Sequence, residues 1–331
     1  MQPTILDFLL GFSSVLWEAM PFIVLGAVVA GILEEFLPQE FITKLLPKSV
    51  VPAVMIGALL GLLFPMCECG IVVVMRRLLR KGLPLSCCIA YMLAGPIINL
   101  VVIFSTWVAF RDHKIAPEMV SLRVGLGFVI ACATALIVQI QYRKYGNALL
   151  TAVAAPPPVA VAPKSSTQPG TADALTQAPL KQSLFVRIGN VSATALHDFV
   201  DITVFLILGA VLAALARSYI TTEQIEAFSR DEPYLAIPAM MLLAVLMCLC
   251  SEADAFVAAS FTKMHLSAKL AFLVLGPMLD IKLILMFTRV FRTRLIVTIA
   301  TSVIILTLAL CMLVHLVYQA NGWSGLPPGA G

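Results

Sequence analysis

The sequence predicts an all-α integral membrane protein with about eight transmembrane helices, arranged as two four-helix internal repeats with broken helices at the membrane midplane. The first reason is composition, because 60% of the 331 residues are hydrophobic and only 12% are charged, whereas about a quarter are charged in soluble domains. The second is a set of eight long apolar stretches. The third is a motif that occurs twice with the same internal spacing.

The eight apolar stretches have the roughly 20 residues that a helix needs to cross a bilayer. The N-terminus lacks the basic segment that opens a signal peptide, so we expect the first stretch to be a retained span. The predicted spans are 5–33, 50–75, 83–110, 120–139, 193–215, 235–259, 268–290 and 295–318.

These spans define the expected domains. The first transmembrane repeat covers 1–142, the second covers 184–320, and a polar tail covers 321–331. Residues 143–183 are rich in Ala, Pro, Ser and Thr and cannot bury a core, which predicts a disordered linker. The basic residues within 76–81 favour a cytoplasmic position for that loop, and therefore for the linker and both termini.

The repeated motif is a Cys-x-Cys, a Gly-Pro that begins 26 residues after the second cysteine, and a polar residue three positions after the proline. The two copies are Cys67, Cys69, Gly95, Pro96 and Asn99, and Cys248, Cys250, Gly276, Pro277 and Asp280. Because each repeat has an even number of spans, we expect the repeats to be parallel. If the Cys-x-Cys segments are re-entrant, that number becomes odd and the repeats are inverted.

Prolines and glycines inside the spans predict the helix breaks. A proline inside a helix lacks an N–H donor and frees a carbonyl, which persists at membrane depth only against protein or a watery cavity. Transporters place substrate sites at such breaks, and a packing kink is the alternative. The expected break residues are Pro65, Gly95, Pro96, Gly276 and Pro277.

Seven ionisable residues fall inside the predicted spans. Each charged side chain at the bilayer centre costs roughly 2.5–3.5 kcal/mol, so we expect them to share a polar cavity. A local pair between Asp280 and Lys282 is the alternative for some of them. Six acids against one base favour a cation or a proton relay over an anion. The seven are Glu18, Glu68, Asp201, Glu252, Asp254, Asp280 and Lys282.

Two sets of candidate residues follow from these patterns. We expect Glu18, Asp201 and Lys282 to couple transport to protons, since each is ionisable and lies within a predicted span. The expected substrate-binding residues are Cys67, Glu68, Cys69, Asn99, Cys250, Glu252, Asp254 and Asp280.

The cysteines also suggest a soft-metal site, because thiolates select copper(I), zinc and trivalent metalloids. Positions i and i+2 lie about 200° apart on a helix, so both thiols reach one ion only where the backbone is broken. His197 shares a helix face with Asp201. The alternatives are small-residue helix packing and an interfacial histidine. The candidate metal ligands are Cys67, Cys69, Cys248, Cys250 and His197.

Other classes of function lack support in the sequence. The net charge of +4 is modest and the basic residues are scattered, so nucleic acid is not an expected partner. The sequence contains no Walker loop or nucleotide fingerprint, and we expect no nucleotide and no cofactor. The expected partners are the lipid bilayer and a small ion or metalloid, with coupling to an ion gradient.

Residues 64–99, from Phe-Pro-Met-Cys-Glu-Cys-Gly to Ala-Gly-Pro-Ile-Ile-Asn, resemble the bacterial predicted-permease family. That family includes the organoarsenical efflux permease, and some members are regarded as copper or zinc exporters. The resemblance implies an eight-span inner-membrane permease driven by the proton motive force. It places Cys67, Cys69, Gly70, Pro96 and Asn99 on the family motif. Family members commonly have a small residue where this chain has Glu68, which favours a metal cation over a neutral organoarsenical.

The sequence therefore predicts a permease, with proton-coupled efflux of a soft metal cation or metalloid, and not an enzyme. Two alternatives remain open at this point. One is a membrane-embedded enzyme that uses the thiols or a metal for redox chemistry, and the other is a passive channel.

Overall fold

The fold is helical throughout the part of the chain that the computed structural model describes, which comprises residues 5–36, 47, 49–64, 66–111, 115–151, 154, 184–219, 233–261 and 264–322. Within these residues there is one isolated β-bridge, between Leu150 and Phe291, and no β-strand. The predicted all-α class is therefore confirmed. Most of the predicted linker and nearly all of the predicted tail lie outside the described residues.

Twelve described α-helices fall into two groups of six. The first half consists of α1 (Ile5–Phe36), α2 (Val50–Leu63), α3 (Glu68–Arg80), α4 (Leu85–Ala94), α5 (Leu100–Phe110) and α6 (Ala116–Tyr145). The second half consists of α7 (Leu184–Tyr219), α8 (Pro233–Met247), α9 (Ala253–Ser260), α10 (Leu266–Met278), α11 (Ile281–Val290) and α12 (Thr293–Ala320).

Five stretches within the described residues are long and apolar enough to cross a membrane, in agreement with an integral membrane protein. The predicted spans 50–75, 83–110, 235–259 and 268–290 are each divided into two shorter helices. Of these four, only 268–290 is among the five, as the stretch Leu266–Val290. The structure therefore does not confirm eight spanning helices. The five are Phe8–Leu33, Ala116–Leu149, Ile188–Leu212, Leu266–Val290 and Thr293–Ala320.

Three of the short helices begin at residues of the repeated motif. Helix α3 starts at Glu68, directly after Cys67, its N-cap. Asn99 caps α5 and accepts a hydrogen bond from the backbone N–H two residues later, at 2.9 Å. Asp280 caps α11 and accepts one from the N–H three residues later, at 2.6 Å. Since a side-chain acceptor satisfies an amide that the first turn leaves free, both polar residues favour the start of a new helix.

The two Gly-Pro pairs lie differently relative to these breaks. Helix α4 ends at Ala94, and Gly95 and Pro96 form the turn before α5. Helix α10 instead continues through Gly276 and Pro277 to Met278, so the second break follows its pair. A proline in the last turn of a helix removes only one N–H donor. The amide of Leu279, two residues after the proline, still bonds the carbonyl four residues before it at 2.8 Å.

Helices α4 and α10 form the centre of the fold, since every residue of both is buried. Helix α4 packs against α2 and α6, and α10 packs against α8 and α12. Helix α3 meets α11, and α5 meets α9, so that broken helices of the two halves face each other. The longest helices, α1 and α7, lie along one another.

Glycines let the long helices approach the short ones. A Cβ on Gly26 of α1 would lie 2.8 Å from the Cα of Gly70 on α3, so the two backbones touch. A Cβ on Gly209 of α7 would lie 2.7 Å from the Cβ of Lys282 on α11. Small residues permit this close helix packing in membranes. As a result, α1 and α7 hold in place the two helices that carry the central charged residues.

Candidate functional site

Charged and polar side chains meet in the buried interior where the broken helices begin. We name this group the central polar cluster, and its members come from both halves of the chain. Its charged residues are wholly buried. The cluster consists of Glu68, Thr106, Arg123, Ser251, Asp254, Asp280 and Lys282.

An ion pair between Glu68 and Lys282 joins the two halves within this cluster. Lys282 Nζ donates to Glu68 Oε1 at 2.8 Å, and both side chains are 1% exposed. The same ammonium group donates to the carbonyl of Cys248 at 3.2 Å and lies 3.5 Å from Asp280 Oδ2. The pair that the sequence suggested, Asp280 with Lys282, is therefore present, but Glu68 is the closer partner.

Arg123 is a second buried cation, which the sequence reasoning missed. Its guanidinium donates to Thr106 Oγ1 at 2.7 Å and to the Ser251 carbonyl at 3.0 Å, and it lies 3.9 Å from Asp254 Oδ2. Arg123 lies inside the predicted span 120–139. A basic residue within a span was therefore the sequence feature that could have identified it. The buried cluster thus contains three carboxylates and two bases, whereas the sequence suggested a larger acidic excess.

Helix starts position the acidic groups. Glu68 is the first residue of α3, and Ser251, whose hydroxyl donates to Glu68 Oε2 at 3.5 Å, lies in the turn before α9. Asp254 is in the first turn of α9, and Asp280 is the N-cap of α11. The partial positive charge at a helix N-terminus stabilises a carboxylate. The breaks therefore place carboxylates where backbone amides and the two cations offset part of their desolvation.

Gly276 of the second Gly-Pro pair contacts the cluster. A Cβ at this position would lie 3.2 Å from Asp254 Oδ2, which is closer than an ordinary van der Waals contact. The glycine therefore leaves room for the carboxylate beside α10. Pro277 is in the last turn of that helix, whereas Gly95 and Pro96 are buried in the turn between α4 and α5. Pro65 lies outside the described residues.

The four motif cysteines are buried free thiols. Cys69 and Cys250 are next to the cluster residues Glu68 and Ser251 in the chain, which brings both thiols close to the central polar cluster. Cys248 has a φ of +47°, a left-handed conformation that is rare for residues other than glycine. Its carbonyl is the one that accepts the Lys282 hydrogen bond. Among the described residues no group of three or more His, Cys, Asp or Glu side chains is arranged to hold a metal ion.

His197 does not share a site with those thiols. Its side chain is 72% exposed on α7, with Nδ1 4.0 Å from Asp198 Oδ1, whereas the thiols are buried. The remaining candidates are dispersed. Asn99 is buried as the cap of α5, and Glu252 is half-buried, in electrostatic contact with Arg123. Glu18 belongs to α1, but its side chain lies outside the described residues.

A second charged group lies further along α3 and α11, and we name it the arginine cluster. It consists of Arg76, Arg77, Asp198, Asp201 and Arg289. Asp201, which the sequence assigned to proton coupling, accepts from Arg289 at 2.9 Å and from Arg76 at 3.3 Å. Asp198 accepts from Arg77 at 2.8 Å and also pairs with Arg76. These contacts again connect the two halves, because Arg76 and Arg77 belong to α3 and the two aspartates belong to α7.

The chain is similar to membrane permeases over nearly its whole length. A family model described as a predicted permease, ArsP_1, matches residues 4–316. The UPF0718 protein YcgR of Bacillus subtilis is 36% identical over 304 residues, which cover 92% of this chain and 95% of that protein. A protein of Streptococcus mutans serotype c, named as a two-component membrane permease complex subunit, is 30% identical over 312 residues, or 94% and 96% of the two chains. No solved structure matches. The chain belongs to the ArsP_1 predicted-permease family.

Proposed function

We propose that the protein is a secondary transporter that exports a soft metal cation or metalloid in exchange for protons across the bacterial inner membrane. The observation that carries this proposal is the buried Glu68–Lys282 pair at 2.8 Å between the two halves. A pair at a junction of halves is broken and remade when the halves move, so its charges become available to a substrate only in certain states.

The formal charge of the central polar cluster favours a cationic passenger. Three buried carboxylates face two bases, which leaves one formal negative charge in a low-dielectric interior. An uncompensated buried charge is costly, so uptake of one proton or one cation is favoured. Within the described residues, Oδ2 of Asp254 and Oδ2 of Asp280 are buried and accept no hydrogen bond. These two oxygens are the proposed proton and cation acceptors, and Cys69 and Cys250 are proposed soft ligands beside them.

The packing supports an arrangement of two repeats. In each half a long helix is followed by four short ones and then a helix of 28–30 residues. Contacts within the first half recur in the second: α2 packs on α4 as α8 packs on α10, and α4 packs on α6 as α10 packs on α12. The contacts between the halves are also matched, because α3 meets α11 and the corresponding helices α9 and α5 meet each other. We propose that transport proceeds by rocking of one such repeat against the other. The arginine cluster then faces the cytoplasm. Both ends of the described chain lie on the opposite side, because α12 begins at Thr293 beside Arg289 and extends about 40 Å from there, and Gly11 of α1 lies against Ala214 at the far end of α7. The expected placement of both termini on the side of the 76–81 loop is therefore not retained.

Transport by purified protein in proteoliposomes tests the proposal. Efflux of zinc, copper(I), arsenite and methylarsenite is measured with and without an imposed proton gradient, in wild type and in the Glu68→Gln variant. Glu118→Gln is the matched control, since it removes a carboxylate from the start of α6, outside the central polar cluster.

We expect one of these passengers to be transported only with a proton gradient, by wild type and by the control but not by Glu68→Gln. Flux that continues unchanged after the gradient collapses would instead identify a channel. A mixed disulfide trapped on a motif cysteine, with no transport of any passenger, would identify thiol redox chemistry and contradict the proposal.

A further inference from the structure

A narrow pocket of about 10 Å³ lies between α3, α7 and α11, which is about the space that one water molecule needs. Val72 and Met286 line it, and each is one helical turn beyond a member of the central ion pair, Glu68 and Lys282 respectively. Residues i and i+4 share a helix face. The pocket therefore begins directly beside the ion pair, on the faces of α3 and α11 that point toward each other.

Charged side chains line the far end of this pocket. Arg76 and Arg289 also line it, one further turn along the same two helices, and Asp201 lies between them. Exposure increases outward, from 4% for Arg76 to 20% for Asp201 and 37% for Arg289. The Arg76–Asp201–Arg289 bridge thus lies between the inner part of the pocket and the surface.

The contacts of the bridge divide unequally between the two halves. Asp201 and Arg289 both belong to the second half, so their 2.9 Å pair survives a relative motion of the halves. The contacts of Arg76 with Asp198 and Asp201, and of Arg77 with Asp198, cross from one half to the other and must break. Three arginines against two aspartates also leave one formal positive charge at the mouth, which opposes entry of a cation while the bridge is closed.

We infer that the arginine cluster is the closed gate of the pathway that leads through this pocket to the Glu68–Lys282 pair. The inference rests on the proposed transport function. It assigns Asp198 and Asp201 to opening and closing the pathway and not to carrying the proton.

The experiment measures access to the pocket and needs no substrate. Val72→Cys provides a reporter thiol in the pocket, and its labelling by a membrane-impermeant maleimide is followed by peptide mass spectrometry in proteoliposomes. With the wild-type gate we expect slow labelling. In the Asp198→Asn/Asp201→Asn background, which removes every cross-half pair of the arginine cluster, we expect labelling at least tenfold faster.

Three further variants complete the design. Asp198→Glu/Asp201→Glu keeps both charges and should restore slow labelling, and Arg80→Gln, which removes a basic residue of α3 outside the gate, should leave it unchanged. Arg76→Gln is the milder variant if the double one does not fold, and we expect at least a threefold increase from it.

Rapid labelling of residue 72 behind the wild-type gate, or slow labelling in both folded gate variants, overturns the inference. Because the readout is access alone, it can fail while proteoliposomes still transport a metal. It can equally succeed when no passenger is found, which separates the gate from the proposed function.

Discussion

Lys282 Nζ and Glu68 Oε1 are 2.8 Å apart, although the two residues are separated by 214 positions in the chain. Gly209 of α7 packs against the Cα and Cβ atoms of that lysine. The Cys248 carbonyl accepts a second hydrogen bond from its ammonium group. The pair is thus held by three separate segments. The stability lost on mutation of this pair depends on whether one partner or both are removed.

Lys282→Met should lower the free energy of unfolding more than the double variant Glu68→Gln/Lys282→Met does. The single change leaves a buried carboxylate without its closest cation, at a cost of about 3–5 kcal/mol in the free energy of unfolding. The double change removes both charges and should recover much of that loss. Unfolding in detergent, followed by circular dichroism, measures both values. Lys144→Met, at the exposed end of α6, is the control, and additive effects of the two central substitutions would contradict the prediction.

Thr106→Val should weaken the Arg123 anchor without changing side-chain volume. Thr106 Oγ1 accepts from Arg123 at 2.7 Å in a fully buried position. Loss of an acceptor for a buried charged donor costs about 1–3 kcal/mol. We expect that decrease in the free energy of unfolding, together with reduced transport. Thr301→Val, on the exposed side of α12, is the matched control, and equal losses from the two substitutions would exclude a special role for Thr106.

Replacements of Cys248 separate its backbone role from its thiol role. At a φ of +47° a side chain costs roughly 1–2 kcal/mol relative to glycine, so Cys248→Gly should be tolerated in folding and Cys248→Val should not. Thermal unfolding gives the first comparison, and metal-dependent transport gives the second. If Cys248→Gly folds but no longer transports, the thiol is a ligand. A Cys248→Val protein as stable as wild type would show that the left-handed backbone matters little.

Gly276→Ala should disturb Asp254 more than it disturbs the fold. The added methyl group would lie 3.2 Å from Asp254 Oδ2, so the carboxylate must shift by a few tenths of an ångström. We expect transport to fall severalfold while the melting temperature changes little. Gly125→Ala, on α6, meets no atom within 4 Å and should stabilise the helix by about 0.5–1 kcal/mol. Unchanged transport by Gly276→Ala would remove Asp254 from the proposed site.

Much of the helical architecture was predictable, because apolar stretches of about 20 residues can satisfy their backbone polar groups in lipid only as helices. The motif also located the helix starts, since Asn99 and Asp280 are residue types that cap helices. The end of α10 after Pro277 was less predictable, because it depends on the amide of Leu279 finding a carbonyl within the same turn.

The pairings within the site were harder to predict. A single sequence indicates that buried charges need partners, but not which ones, and Glu68 contacts Lys282 through packing of helices from opposite halves. Arg123 was overlooked because it lies near the start of its span, where basic side chains often reach the interface. In the structure it is 1% exposed and bonded to Ser251 of the other half.

The complete burial of α4 and α10 has a consequence for how this chain is made. Ten residues of helix extend about 15 Å, which is half of the hydrocarbon thickness, so α4 cannot be released into lipid as an independent segment during synthesis. It must wait beside the translocation machinery, or in a provisional position, until α6 has been made. Helix α10 similarly depends on α12, so assembly of the second half cannot be completed until α12 has been made.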